Sequence, residues 1–214
     1  MLKIERTETY GWEAAIRGMR NPLNSWERSD SKYHGGEGIA RINNYVGYYD
    51  MELMRRLIKA GDADSKFLRM IHVSADITAP LYWWKEFDTY KIGTVRDSCS
   101  TMHTLHKRDL DITDFSTEWL TGTSQTAIQG VIDAINLCRR LYEQTQNKDD
   151  WYQMIQLLPS SYNQRATIDL NYQTLRHIYK QRRNHKLKEW QDFCDWCETG
   201  LPQVYLITMN GGTA

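Results

Sequence analysis

The sequence is poor in the features that mark membrane, secreted or strongly charged proteins. Its 214 residues include four prolines and four cysteines, and its 27 basic side chains equal its 27 acidic ones. No apolar run approaches the roughly 18 residues of a membrane-spanning helix. The first residues, MLKIERTETY, carry too many charges for a signal peptide. Because four irregularly spaced cysteines do not make a disulfide framework, we expect a soluble protein of the reducing cytoplasm.

A linker is also missing, since no stretch rich in Ser, Gly or Pro divides the chain. This predicts one domain over residues 1–214, a length that suffices for one substantial core. Zero net charge and the lack of a recognised nucleic-acid motif argue against a nucleic-acid partner. A basic helix over 176–188 leaves nucleic-acid binding only as a minor alternative.

Two short motifs could in principle form a metal or redox site. Cys194 and Cys197 form a C-x-x-C, but a zinc site needs a second pair and a redox motif usually follows a strand. We interpret them as buried helix cysteines beside Trp190. His103 and His106 are spaced to share one face, yet no carboxylate pattern accompanies them. No metal site is therefore predicted.

Apolar spacing predicts the α+β class, mostly helical with a small antiparallel sheet. Residues 2–9 and 72–78 alternate as strands, whereas 20–49 is rich in Asn, Ser and Gly and is predicted to be one long loop. The polar segment 94–103 is also predicted to be a loop. Helices are predicted at 11–19, 51–60, 64–70, 81–92, 124–146, 151–158, 171–183 and 186–198.

The last third of the chain carries the strongest indication of a binding site. Asn171 suits the start of a helix, where its side chain caps N–H groups or holds a ligand. Arg182 follows about three helical turns later. The same segment contains further basic residues, namely Arg176, Lys180, Arg183, Lys186 and Lys188. Such local positive charge in a neutral protein favours an anionic ligand, and the alternative is a solvated helix face.

Between about residues 50 and 196 the chain contains an ordered series of motifs: DMELMRRLIKAG, DSKF, a strand, Ala79-Pro80, an aromatic helix, a serine and the spacing LP-x11-Asn-x10-Arg. This order and spacing resemble the flavin-dependent thymidylate synthase family. The resemblance implies a homotetramer whose nucleotide and flavin sites lie between subunits. The family uses FAD, NADPH and methylenetetrahydrofolate to methylate dUMP.

The family signature is Arg-His-Arg, then seven residues, then Ser and, two positions on, Arg. Aligning its serine with Ser98 places the triplet on Asp88, Thr89 and Tyr90, and the last arginine on Ser100. The resemblance therefore implies two sets of contacts. Nucleotide contacts would come from Ser98, Ser100, Lys85, Arg96 and Arg182, and flavin contacts from Asn171, Arg69, Asp88, Thr89 and Tyr90.

Several of these positions carry a different charge from the family residue. Three positions before the triplet, this chain has Lys85 where the family has a polar residue. It has Arg96 in place of a family glutamate and Arg69 in place of a family histidine. Asp88 puts a carboxylate where a guanidinium would pair with phosphate, which predicts weak or absent FAD binding. Lys85, Arg96 or Arg69 would have to compensate for that loss of anion binding.

Two functions are compatible with these residues. In the first, the protein is an enzyme that methylates or reduces a pyrimidine nucleotide such as dUMP, and Arg182 stabilises the negative charge that develops on the uracil ring. NADPH and methylenetetrahydrofolate would be needed only in this case. In the second, a non-catalytic relative sequesters or senses a nucleotide on the same fold. Both predict a nucleotide ligand and a homotetramer.

Overall fold

The structure is a computed structural model that describes residues 1–32 and 46–209. Its strands are β1 (Lys3–Tyr10), β2 (His72–Pro80), β3 (Thr94–Ser98) and β4 (Asn163–Asn171). In the described residues they form an antiparallel sheet with the order β1-β2-β4-β3. Side chains alternate between buried and more exposed along β2, as expected where one face packs on a core. The predicted strands 2–9 and 72–78 are confirmed.

Two strands lie where the sequence analysis placed none. The prediction of a loop over 94–103 is wrong at β3, an edge strand of sequence TVRDS whose polar side chains give no apolar alternation. Its pairing with β4 is a long-range contact that the local pattern does not encode. β4 did carry a local signal, because Ala166, Ile168 and Leu170 alternate with polar residues and are all buried.

Helices dominate the described residues, which confirms the α+β class. The α-helices are α1 (Trp12–Arg20), α2 (Tyr48–Ala60), α3 (Leu81–Phe87), α4 (Thr101–Thr104), α5 (Thr123–Thr145), α6 (Lys148–Leu157), α7 (Tyr172–Arg182), α8 (Lys188–Thr199) and α9 (Tyr205–Thr208). Short 3₁₀ turns occupy Asn21–Leu23, Trp26–Arg28, Lys66–Met70, Leu105–Lys107 and Ile112–Asp114. Within the parts of the chain described, no helix is long and apolar enough to cross a membrane.

Several boundaries differ from the predictions. The helix predicted at 151–158 begins at Lys148, and the one predicted at 64–70 is the 3₁₀ turn Lys66–Met70. The aromatic helix α3 ends at Phe87 instead of reaching residue 92, because the next residues turn back through the bonds Thr89 N to Glu86 O and Tyr90 N to Phe87 O. The predicted loop 20–49 is interrupted by the 3₁₀ turns within 21–28 and by α2, which begins at Tyr48. The rest of that prediction, between residues 33 and 45, lies outside the described residues.

One compact unit comprises Met1–Glu5, Asp76–Tyr90 and Arg96–Ile168. Part of its core is a cluster that α5 and α6 share with the segment 105–115. In α5 the buried residues Ile128, Ile132, Ile135 and Cys138 recur at helical spacing, which confirms the predicted amphipathic helix. The remaining buried members are Leu105, Leu110, Phe115 and Met154.

The other compact unit comprises Arg6–Ala75, Lys91–Val95 and Asp169–Ala214. Trp12 and Tyr172 meet edge to face in its core, with ring centroids 5.3 Å apart. Cys194 and Cys197 are buried on α8, as predicted, and burial raises the pKa of Cys194 to about 11. A thiol with that pKa stays protonated at neutral pH. The division into two units leaves the single domain a prediction.

Gly11 allows α1 to begin close to the 3₁₀ turn Lys66–Met70. Its φ is 84°, and an added Cβ would lie 1.9 Å from the carbonyl oxygen of Met70. We expect Gly11→Ala to lower the free energy of unfolding by more than about 2 kcal/mol, because backbone must move in addition to the conformational strain. Urea unfolding measures this loss.

Gly61 supplies the matched control, because its φ is 118° and an added Cβ would have no atom of the described residues within 4 Å. Gly61→Ala therefore adds strain without a clash and should cost about 1–3 kcal/mol, less than Gly11→Ala. Equal losses in the two variants would show that the approach of Gly11 to Met70 does not matter.

Candidate functional site

Arg96, predicted to contact a nucleotide, is the centre of a polar cluster on β3. Its Nη1 donates to Asp88 Oδ2 at 2.7 Å and its Nη2 to Gln164 Oε1 at 2.5 Å. The guanidinium carbon lies 4.1 Å from the centroid of the Trp84 ring, within the range of a cation–π contact. Trp84 Nε1 donates to the Gln164 carbonyl at 2.9 Å. We call these four residues the Arg96 cluster, and together they fix the position of the guanidinium.

At the positions of Asp88 and Arg96, the signs of the two charges are reversed relative to the resembled family. The family has arginine at the first and glutamate at the second, whereas this chain has the acid first and the base second and pairs them at 2.7 Å. The Asp88 carboxylate therefore does not stand as an uncompensated negative charge, which refines the sequence argument for repulsion of phosphate. Arg96, in turn, already holds a carboxylate and is less available to a ligand.

The other triplet positions offer no cationic donor. Thr89 Oγ1 donates to the Glu86 carbonyl at 2.7 Å, so its hydroxyl is used within its own turn. Tyr90 is buried, with 9% of its surface exposed. Lys85, near the end of α3, is exposed. The segment from Asp88 to Tyr90 thus lacks the guanidinium groups that would pair with a diphosphate.

The two candidate serines lie at and just after the end of β3. Ser98 is two residues beyond Arg96, and side chains two apart on a strand share a face. Ser100 precedes the single turn α4, and its carbonyl accepts from Thr104 Oγ1 at 2.7 Å. Ser98 and Ser100 are both half-buried, and their hydroxyl groups are the donors that this end of the strand could offer to an anion.

Asn171 is the N-cap of α7, as the sequence predicted. Its Oδ1 accepts from Thr174 N at 3.0 Å and from Thr174 Oγ1 at 3.2 Å. Thr174 Oγ1 also lies 2.9 Å from the carbonyl of Ile92. A Cβ on Gly93, whose φ is 69°, would lie 2.4 Å from Asn171 Nδ2. The amide oxygen is therefore used by the helix, and Gly93 leaves the room that its Nδ2 needs.

Arg182 ends α7, and its guanidinium carbon lies 4.7 Å from the centroid of the Trp190 ring. This cation–π contact orients the head group over the indole ring. Arg69 lies in the same compact unit, exposed on the 3₁₀ turn Lys66–Met70. The stacking on Trp190 thus gives the Arg182 head group a defined orientation at the end of α7.

The basic character of the 176–188 segment is largely internal. Arg176 is buried and donates to the Leu206 carbonyl at 3.2 Å, and burial lowers its pKa. Arg183 pairs with Asp195 at 2.8 Å and with Glu198 at 3.1 Å. Lys188 pairs with Asp192, one turn further along α8. These contacts remove much of the reason for expecting an extended anionic ligand or a nucleic acid along this helix.

A second buried polar centre was not anticipated from the sequence. Arg20 Nε donates to Asp50 Oδ1 at 2.5 Å, and the two side chains are 4% and 0% exposed. Asp50 Oδ2 accepts from the hydroxyls of Ser29 and Ser31, each at 2.6 Å. Burial by itself would raise the pKa of Asp50, but these hydrogen bonds and the Arg20 charge hold it below its usual value. The carboxylate is therefore ionised at neutral pH.

Sequence reasoning also missed Trp84 and Gln164 as partners of Arg96. The hydrogen bond between Arg96 and Gln164 joins residues 68 positions apart, so no local pattern reveals it. The alternation in β4 was the available signal, because recognising that strand would have put Gln164 in the sheet. In the described ranges, no three His, Cys, Asp or Glu side chains group as metal ligands.

The fold is that of the flavin-dependent thymidylate synthases. Thymidylate synthase X of Helicobacter pylori, solved with FAD and dUMP, matches with a TM-score of 0.68 at 18% identity, covering 96% of this chain and 96% of that chain. A second structure of the enzyme from that organism, complexed with FAD and dUMP, gives 0.69 at 17% identity and coverages of 99% and 100%.

A methylase has the same fold at lower similarity. The UMP/dUMP methylase PolB of Streptomyces cacaoi, bound with 5-Br dUMP, gives a TM-score of 0.57 at 13% identity, covering 94% of this chain and 88% of that chain. No protein-family model and no curated protein matches the sequence. At these identities the similarity establishes the fold alone.

Proposed function

We propose that this chain, which has the fold of flavin-dependent thymidylate synthases, binds a pyrimidine nucleotide such as dUMP. The observation that carries the proposal is the likeness over nearly the full chain to proteins solved with dUMP or 5-Br dUMP. Arg182 would contact the base, and Ser98 and Ser100 would contact the phosphate, with Arg96 and Lys85 adding positive charge. The proposal includes a homotetramer, the assembly that the resemblance implies.

FAD does not fit the triplet segment in the manner of the resembled family. A flavin dinucleotide carries a diphosphate that needs cationic or N–H donors. Asp88 is instead acidic and paired with Arg96, Thr89 donates to its own turn, and Tyr90 is buried. Asn171, the other predicted flavin contact on α7, uses its amide oxygen as a helix cap. This disagreement favours a nucleotide-binding protein without tightly bound flavin.

Binding without catalysis is therefore the form of the proposal that we favour, as a protein that sequesters or senses the nucleotide. The enzyme alternative requires formation of dTMP from dUMP when FAD, NADPH and methylenetetrahydrofolate are supplied together. Chromatography of such a mixture distinguishes the two forms, because only the enzyme produces dTMP. The visible absorption of the purified protein reports directly on retained flavin.

Arg182→Ala tests the nucleotide site. We expect the dissociation constant for dUMP, measured by isothermal titration calorimetry, to rise about tenfold or more, because a hydrogen bond from a charged group contributes about 1.5–3 kcal/mol. Folding should persist, because Arg182 is only half-buried and is the last residue of α7. Thermal unfolding of both proteins checks this.

Lys186→Ala is the matched control, because it removes one positive charge from an exposed residue a few positions further along the chain. It should leave the dissociation constant for dUMP unchanged. An equal loss of affinity in the two variants would reduce the role of Arg182 to general electrostatics. An unchanged affinity in Arg182→Ala would refute the assignment of this residue.

A further inference from the structure

A cavity of about 1000 Å³ lies between the segments 20–30 and 49–56, at the end of α1 and the start of α2. Its volume is at the upper end of the range of about 300–1,000 Å³ that is usual for small-molecule sites. Among the lining residues that the structure describes, none belongs to the predicted nucleotide or flavin site. The cavity therefore needs an explanation of its own.

The buried lining residue Arg20 has an unused donor. Its Nε donates to Asp50, and its Nη1 donates to the Ser25 carbonyl at 3.1 Å. Its Nη2 is buried and has no hydrogen-bond partner within the described residues. Asp50 already accepts from Ser29 and Ser31, so donors exceed acceptors around this ion pair. Because a buried donor without a partner is unfavourable, an added acceptor would be stabilising.

Two further arginines, Arg28 and Arg56, line the same cavity and are exposed. Neither forms an ion pair within the part of the chain that the structure describes. Two of the three acidic lining residues are engaged in other contacts. Glu52 pairs with Arg55 at 2.7 Å, and Asp30 accepts from the backbone N–H groups of Tyr49 and Asp50 at 3.1 and 3.2 Å. Glu27 is the remaining acidic lining residue.

The cavity also has an apolar side, formed by Leu23, Leu53 and Tyr49. Leu23 and Tyr49 are 74% and 65% exposed, so their surfaces would gain from being covered. We propose that this cavity binds a small organic anion, with a phosphate or carboxylate near the arginines and a compact apolar or aromatic body against these three residues. The proposal is independent of the nucleotide site.

Titration of the full chain with simple probes tests the proposal. Phenyl phosphate and benzoate combine an anionic group with a ring, whereas inorganic phosphate and phenol each supply one part only. We expect phenyl phosphate or benzoate to bind more tightly than either part, and the tighter of the two identifies the anionic group. Arg56→Gln and Arg28→Gln should each weaken that binding by up to about tenfold.

Two controls separate this cavity from other anion sites. Arg17→Gln removes a positive charge from an exposed residue of α1 that does not line the cavity, and it should leave binding unchanged. Arg182→Ala should also retain binding of the probe. Absence of binding by both combined probes would overturn the proposal. Loss of binding in Arg182→Ala with full binding in Arg28→Gln and Arg56→Gln would overturn it too, because the probe would then report the proposed nucleotide site.

Discussion

Replacement of Asp50 by alanine is expected to lower the free energy of unfolding by about 3–5 kcal/mol, the usual loss when one partner of a buried ion pair is removed. Arg20 and Asp50 are almost completely buried, so the remaining guanidinium would keep its charge without a neighbouring carboxylate. The hydroxyls of Ser29 and Ser31 would lose their acceptor in the same variant. Urea unfolding followed by circular dichroism measures the loss.

An exposed ion pair on the same helix provides the control. Glu13 and Arg17 lie 3.4 Å apart on α1 with side chains more than half exposed, so Glu13→Ala should cost less than about 1 kcal/mol. The double variant Arg20→Met/Asp50→Leu should be more stable than Asp50→Ala, because it removes the buried charge together with its partner. A single variant as stable as the parent would show that the pair does not hold α1 against α2.

The same pair makes stability depend on pH in a defined direction. The pKa of Asp50 in the folded protein lies below its ordinary value of 3.8. The unfolded chain therefore binds this proton more readily, and the ionised carboxylate stabilises the fold at every pH above that value. The contribution is lost as the pH falls through the lower folded pKa. Asp50→Asn should lack this part of the acid sensitivity.

The helices and helix caps that depend on residues close together in the chain were predicted from the sequence. The spacing of Ile128, Ile132 and Ile135 gave α5, and the capping preference of Asn171 gave the start of α7. The sequence did not predict pairings between distant segments. β3 has no apolar pattern because it is an edge strand, and the contact of Arg96 with Gln164 exists only once β3 and β4 are adjacent.

Charge patterns were the least reliable guide, because a sequence shows each charge without its partner. The basic residues around Arg182 predicted an anion site, yet Arg183 pairs with carboxylates of α8 and Arg176 is buried. Asp88 indicated repulsion of phosphate, yet it pairs with Arg96. In both cases the partner comes from another element of the fold, so the net charge that a ligand meets is smaller than the sequence indicates.

The pairing of Asp88 with Arg96 changes how flavin binding should be restored. Placing Arg, His and Arg at positions 88 to 90 would bring a new guanidinium against Arg96, whose Nη1 lies 2.7 Å from the present Asp88 carboxylate. Two like charges at that separation repel. A fourth change, Arg96→Glu, would restore the family arrangement, with arginine at position 88 and glutamate at position 96.

We therefore expect the quadruple variant Asp88→Arg/Thr89→His/Tyr90→Arg/Arg96→Glu to bind FAD about a hundredfold more tightly than the parent, since two added charge-assisted hydrogen bonds contribute about 1.5 kcal/mol each. The triple variant without Arg96→Glu should gain less. Because Tyr90 is buried, the pair swap Asp88→Arg/Arg96→Glu is measured as well, and Glu13→Arg/Arg17→Glu controls for swapping an exposed ion pair. Isothermal titration with FAD decides the matter. Tight stoichiometric binding by the parent would refute our interpretation of the triplet and favour the enzyme over the sequestering protein.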